Sequence, residues 1–99
     1  MSLKIEKKNE DSTVLLLSGR LDTATAPELE TEISGILPTA ESLVLDMENL
    51  EYISSAGLRV ILKTHKALEP KGGLKLRNVP ESVKEVFDIT GFSDFLAVE

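Results

Sequence analysis

The strongest constraint in this chain is the order of residues from Leu43 to Leu62. Leu43, Val44 and Leu45 form a short apolar run of the kind that makes a buried strand. Asp46 to Tyr52 is mixed and mostly polar, and reads as a loop. Ser54 and Ser55 follow. Beyond them Leu58, Ile61, Leu62, His65 and Leu68 recur three and four apart, which is one face of a helix. A serine at a helix start can accept one of the backbone N–H groups that the first turn leaves without a partner. The two serines are therefore expected at the electropositive end of a helix, just past a strand, where phosphate or another anion is favoured.

The remaining pattern sets the fold class. Leu3 to Lys8 alternates apolar and charged side chains, as a half-exposed edge strand does. Asn9-Glu10-Asp11 is a turn, and Thr13 to Ser18 is a continuous apolar strand that can pair back as a hairpin. Gly19 to Ala24 reads as a loop. Thr25 and Glu28 have capping-box spacing, with Pro27 in the first turn of a helix. Leu29, Ile33, Ile36 and Leu37 make its buried stripe, Glu28, Glu30 and Glu32 point outward, and Pro38 stops it. After the second helix, Glu69 to Gly73 breaks the pattern and Leu74 to Arg77 alternates as a strand. Pro80 opens a third helix with Val83, Val86, Phe87 and Ile89 inward, and Gly91 caps it. Phe92, Phe95, Leu96 and Val98 are expected in a last short strand.

The order β-β-α-β-α-β-α-β predicts an α/β fold. It has a mixed, mostly parallel sheet with an N-terminal β-hairpin and helices packed on it. With 99 residues, one hydrophobic core and hence a single domain over 1–99 is expected. In such a sheet the strand-to-helix loops leave from one end. The loop Gly19–Ala24 and the loop Met47–Ser54 should lie side by side, joining Asp22, Thr23, Thr25, Glu48, Asn49, Glu51, Tyr52, Ser54 and Ser55 in one surface.

Several chemistries are disfavoured. A nucleophilic Ser55 would need a base within hydrogen-bond reach. The single histidine, His65, lies ten residues along the same helix, about 15 Å up its axis. There is no Gly-x-Ser-x-Gly elbow and no phosphate-cradling glycine loop. With no cysteine and one histidine, Asp46, Glu48 and Glu51 do not make a metal-ligand set. No catalytic residue, metal or cofactor is expected. A net charge of −6 argues against nucleic acid and anionic membranes, and suits a basic protein partner. The longest apolar run, Val14 to Leu17, is far short of a membrane span, and no basic-then-apolar leader stands at the start. The chain reads as cytoplasmic. Arg59, Lys63 and Lys66 form a basic stripe on the second helix, either a solvated face or a rim contact.

The stretch Asp46-Met-Glu-Asn-Leu-Glu-Tyr-Ile-Ser-Ser-Ala-Gly-Leu-Arg-Val-Ile-Leu resembles the signature of the STAS domains, the anti-sigma factor antagonists. Many of these carry Asp-Ser-Ser-Gly-Leu at the helix start and are phosphorylated on the first serine after the aspartate. Anchored on Gly57 and Leu58, the resemblance places Ser55 on the phospho-acceptor, with Ser54 as the alternative target. Ser54 stands where the family often has Asp, and Ala56 where it often has Ser. The resemblance runs from Leu3 to Val98. The family commonly continues into a further helix; here the residues up to Glu99 read as a short strand.

The resemblance implies a partner: an anti-sigma factor that is also a serine kinase, bound only while the domain is unphosphorylated, with a serine phosphatase to reset it. Asp22, Thr23, Ser54, Ser55 and Gly57 are the implied contact residues, with Arg20 and Arg59 as weaker ones. The family also serves as non-switching interaction modules of larger signalling assemblies and of membrane transport systems for lipids or anions. In that reading the serines only cap the helix. A monomer, or a weak dimer through the Leu3–Lys8 edge, is expected.

Overall fold

The computed structural model describes residues 2–98. The elements run β1 (Leu3–Asn9), β2 (Thr13–Leu21), α1 (Ala26–Ile36), β3 (Ser42–Ile53), α2 (Ser55–Leu68), β4 (Gly73–Arg77), α3 (Glu81–Thr90), a 3-10 turn (Phe92–Asp94) and β5 (Ala97–Val98). The strands lie in the order β1-β2-β3-β4-β5. β1 and β2 are antiparallel, as a hairpin requires, and every later pair is parallel. A sheet that grows in one direction through right-handed crossovers puts all its crossover helices on one face. The core agrees. Leu15, Leu17, Leu43, Leu45, Leu74 and Leu76 on one face of the sheet join a single cluster with Leu29 and Ile33 of α1, Ile61 and Leu68 of α2, and Val83 and Phe87 of α3. Each fully buried aliphatic side chain there stabilises the fold by ~1.5–3 kcal/mol. The opposite face carries Val14, Val44, Lys75 and Arg77 and lines an open depression of about 270 Å³ with Glu10 to Ser12. Among the described residues, no helix is long and apolar enough to cross a membrane.

Five local expectations fail. The segment Asp46–Tyr52 is not a loop: β3 continues through it to Ile53. Likewise β2 runs on through Gly19 and Arg20 to Leu21. The reason is two β-bulges in β3. Leu16 and Ser18 of β2 pair with Asp46 and Asn49, and Gly19 and Arg20 pair with Leu50 and Tyr52, so β3 carries an extra residue at each step. Its buried apolar residues therefore run Leu43, Leu45, Met47, Leu50, Ile53, and the spacing changes from two to three. In sequence that change looks like the end of a strand.

Ile89 does not face inward; it is 85% exposed, past the last buried position of α3 at Phe87. Gly91 does close α3 in the left-handed conformation, at φ +82°. The Phe92–Val98 segment is not one strand: a 3-10 turn precedes the two-residue β5, and Phe92 packs on Phe87 at 6.3 Å between ring centroids. The fifth, a capping box at Thr25 and Glu28, concerns the start of α1 and is described with the site.

One buried charge fastens β3 to β4. Asp46 is 4% exposed on the face away from the helices. Its Oδ2 accepts from Arg77 Nε and from Asn78 Nδ2, both at 3.1 Å, and its Oδ1 accepts from the Glu48 N–H at 3.1 Å. Arg77 Nη2 approaches the same Oδ2 at 3.1 Å. Burial alone would raise the Asp46 pKa, but the Glu48 N–H, the Asn78 amide and the Arg77 guanidinium together outweigh it and hold the carboxyl below its ordinary value. A carboxyl whose folded pKa is depressed stabilises the fold above its unfolded value and stops doing so as pH falls through the folded one. Asp46→Ala is expected to cost about 1.5–3 kcal/mol at pH 7 in urea unfolding. The difference from the parent chain should shrink as pH drops below ~4.

Candidate functional site

The C-terminal ends of β2 and β3 lie side by side: Arg20 pairs with Tyr52, and Leu21 with Ile53. The Ser54 N–H donates to the Leu21 carbonyl at 2.9 Å, so the residue just past β3 is tied to the residue that ends β2. Both helices thus start from one point, as the crossover topology predicts.

At the start of α2, Ser54 has extended backbone angles (φ −104°, ψ 174°), and its hydroxyl accepts from the Gly57 N–H at 3.4 Å. Its carbonyl accepts from the Leu58 N–H at 2.9 Å. Ser54 is therefore the cap, half-buried and already bonded. Ser55 is the first helical residue and exposed. Its hydroxyl makes no hydrogen bond to another described residue. The two serines, equivalent in sequence, have separate places.

Gly57 is buried beneath them. A Cβ there would lie 2.7 Å from Leu21 Cγ, 3.0 Å from Leu21 Cδ2 and 3.1 Å from Ile53 Cγ1. The first turn of α2 sits directly on the strand ends because this residue has no side chain.

The neighbouring turn at the start of α1 is built by Asp22. Its Oδ1 accepts from the backbone N–H of Ala24 and of Thr25, both at 3.0 Å, and its carbonyl accepts from the Ala26 N–H at 2.8 Å. Thr25 Oγ1 accepts the Asp22 N–H at 2.9 Å and donates to the Arg20 carbonyl at 2.7 Å. This is a reciprocal capping box between Asp22 and Thr25. The box expected from Thr25 and Glu28 is displaced by one turn, because Thr25 is 2% exposed and its hydroxyl is already engaged by Asp22 and Arg20. Thr25 is accordingly not part of the exposed surface. The backbone N–H of Thr25, joined by its hydroxyl, the Ala24 N–H and Arg20, holds the Asp22 carboxyl below its ordinary pKa, so it is an anion at neutral pH.

Asp22 is half-buried, and Thr23, Tyr52, Glu51 and Ser55 are exposed around this end. The Arg20 guanidinium lies over the Tyr52 ring at 4.2 Å, with its Nε 3.8 Å from Asp22 Oδ2. This cation–π contact bridges β2 and β3 beside the turn. Arg20, only a weaker contact on sequence grounds, meets Tyr52 because the second bulge sets their register, which no local pattern displays. Glu48 and Asn49 are exposed but sit on the first bulge, with Asn49 opposite Ser18, back from the helix starts. Arg59 stands one turn beyond Ser55. It lines a shallow groove between α1 and α2 with Thr23, Pro27 and Ala56, closed by the ion pair of Lys63 with Glu30.

His65 is packed rather than poised. Its ring lies 5.2 Å from that of Phe95, and its Nε2 is 3.9 Å from Glu69. Among the described residues, no group of three or more acidic or histidine side chains is placed to hold a metal ion.

The STAS domain family model matches residues 3–99. The chain is 30% identical over 100 residues to the anti-sigma-B factor antagonist of Bacillus subtilis (strain 168), covering 99% of this chain and 92% of that one. It is similar in fold to the crystal structure of an anti-sigma factor antagonist from Mycobacterium paratuberculosis, with a TM-score of 0.89, 23% identity, and 97% and 84% of the two chains covered. It is also similar to the Bacillus cell fate determinant SpoIIAA in its phosphorylated form, with a TM-score of 0.73, 21% identity, and 98% and 90% covered.

The close seat of α2 gives a direct prediction. Gly57→Ala gains helix propensity of at most ~1 kcal/mol but overpacks a fully buried leucine at a branch carbon, which costs ~1–3 kcal/mol. The net expectation is a loss of about 1 kcal/mol in urea unfolding. A Leu21→Ala background should relieve much of that loss, and a double-mutant cycle reads the coupling.

Proposed function

The chain belongs to the STAS domain family, and from that premise we propose that it is an anti-sigma factor antagonist whose docking is switched off by phosphorylation of Ser55. The observation that carries this reading is the division of labour between the two serines. Ser54 is the bonded cap, and Ser55 presents an unbonded hydroxyl to solvent at the N-terminus of α2.

A phosphoryl group on Ser55 adds ~1.5–2 negative charges. At an exposed helix N-terminus the aligned backbone dipoles favour that charge by a few tenths to ~1 kcal/mol. Asp22 and Glu51 nearby oppose it, and Arg59 one turn on and Arg20 at the strand end favour it. These exposed contributions are small and partly cancel, so the fold persists. The effect falls on the complex. A dianion pressed into a closed interface loses its water, or meets a pocket shaped for a hydroxyl, at a cost of several kcal/mol. Because ~1.4 kcal/mol is tenfold in affinity, one modification separates bound from free.

In this reading the unmodified surface of Asp22, Thr23, Ser54 and Ser55 meets an anti-sigma factor that is also the serine kinase, and the buried Gly57 acts only by seating the first turn of α2 beneath it. A serine phosphatase restores binding. The role of Asp22 is to hold the turn rigid and to keep one fixed negative charge beside the acceptor. A basic partner suits both this charge and the domain's net −6.

Kinase treatment followed by peptide mass spectrometry is expected to find the phosphate on Ser55 and not on Ser54. Ser54→Ala should still be phosphorylated, with ~1 kcal/mol less stability from the lost cap. Ser55→Ala should bind the anti-sigma partner as the parent does. Phosphorylated Ser55 should bind at least about a hundredfold more weakly, with Ser55→Asp in between. Phosphate on Ser54, or equal affinity for all forms, would refute the switch.

A further inference from the structure

We propose that β1 is a self-pairing edge through which two copies of this chain join their sheets about a two-fold axis at Ile5. The proposal is independent of phosphorylation at Ser55 and rests on which backbone groups of β1 point outward. At one end of the hairpin the Arg20 N–H donates to the Ser2 carbonyl, and at the other the Glu10 N–H donates to the Ser12 carbonyl. In an antiparallel ladder, residues that exchange such bonds alternate with residues that do not. In the register that pairs Leu3 with Gly19 and Asn9 with Thr13, both bonds fall on even-numbered positions, Ser2 and Glu10, that flank β1. Lys4, Glu6 and Lys8 therefore bond to β2, and Leu3, Ile5 and Lys7 turn their N–H and C=O groups away from it. β1 is the first strand of the sheet, and its outer edge has no neighbour among the described residues. An open row of donors and acceptors is a template for another strand.

The side chains select the partner and the register. In an antiparallel pairing centred on Ile5, Ile5 meets Ile5 of the second copy and Leu3 meets Lys7. Lys4 falls opposite Glu6, and Glu6 opposite Lys4. These two pairs are of the non-hydrogen-bonded kind, in which side chains approach most closely. Lys4 Nζ already lies 3.1 Å from Glu6 Oε1 within one chain, so the axis would gather four charges of alternating sign. Ile5 is only partly buried and packs on the edge of the core, so a second Ile5 would cover what is left open. Shifted registers fail on charge. Centring on Lys4 sets Lys4 against itself, centring on Glu6 sets Glu6 against Glu6 and Lys4 against Lys8, and centring on Lys7 sets Lys7 against itself. Among the registers centred from Lys4 to Lys7, the lysines that ordinarily protect an edge leave only the one at Ile5 free of like charges set against each other. In that register Lys7 and Lys8 face Leu3 and Ser2, so the strand's surplus positive charges do not meet.

Sedimentation equilibrium of the full chain from micromolar to millimolar concentration, at low salt, tests this. The parent chain is expected to show a reversible monomer–dimer equilibrium, unchanged by Ser55→Ala. Lys7→Pro removes only an outward N–H, which an edge strand tolerates, and should leave a folded monomer. Glu6→Lys should weaken the dimer about tenfold or more, and Lys4→Glu combined with Glu6→Lys should return it to within about threefold of the parent. A parent chain monomeric at millimolar concentration, a folded Lys7→Pro that still dimerises, or a charge swap that fails to restore association would each overturn the proposal. Should Lys7→Pro not fold, by circular dichroism, the two charge variants decide it.

Discussion

Leu21 is the joint on which the functional end of the domain depends. Its side chain is fully buried against the bare backbone of Gly57, and its carbonyl accepts the N–H of Ser54. One residue at the end of β2 thereby sets the height of α2 and ties the cap of that helix to the neighbouring crossover. A methyl group at Gly57 would separate these parts, and an unsatisfied Leu21 carbonyl would leave a polar group without a partner. The relation between the Asp22 turn and the Ser54–Ser55 helix start is consequently held by packing and by hydrogen bonds from both sides.

The bulges of β3 serve the same end. Two inserted residues bend a long strand and increase its twist while its apolar residues stay on the core face. The second bulge brings Tyr52 opposite Arg20, and the Asp46 cluster holds the straight half of β3 to β4. The strand is thus firmly held at Asp46, where Arg77 and Asn78 meet it, and again at Ile53, where α2 begins. The candidate surface lies beyond the second point, where β2, β3 and α2 are joined.

The order of elements, the hairpin, the parallel sheet and the adjacency of the two crossovers were legible in the sequence. Alternation, helical spacing and punctuation by proline and glycine all agreed. Ser54 and Ser55 could be placed at a helix start for the same reason. Other features depended on registers that a single chain does not display. The Met47–Leu50–Ile53 spacing hid a bulged strand behind the look of a loop. Thr25 does stand at the N-cap of α1, but its hydroxyl is used by Asp22, three residues before it, and not in a box with Glu28, three residues after. Ile89 continued an apolar pattern that the structure ends at Phe87. The Asp46–Arg77–Asn78 cluster joins residues more than thirty positions apart. Nothing local announces it beyond an aspartate directly after an apolar run.

The proposed switch rests on a contrast: a packed, hydrogen-bonded joint beneath, and above it the exposed Ser55 hydroxyl, which bonds no other described residue. Amide hydrogen exchange, measured residue by residue on the unmodified and the Ser55-phosphorylated chain, tests this most directly. If the phosphate only recharges the surface, protection of β2, β3 and the body of α2 stays the same, and changes stay within the first turn of α2 and the Asp22 turn. Loss of protection across Leu15–Leu21 or Leu43–Ile53 would show that the modification acts by loosening the sheet, and would contradict the view of a fixed scaffold with a chargeable tip.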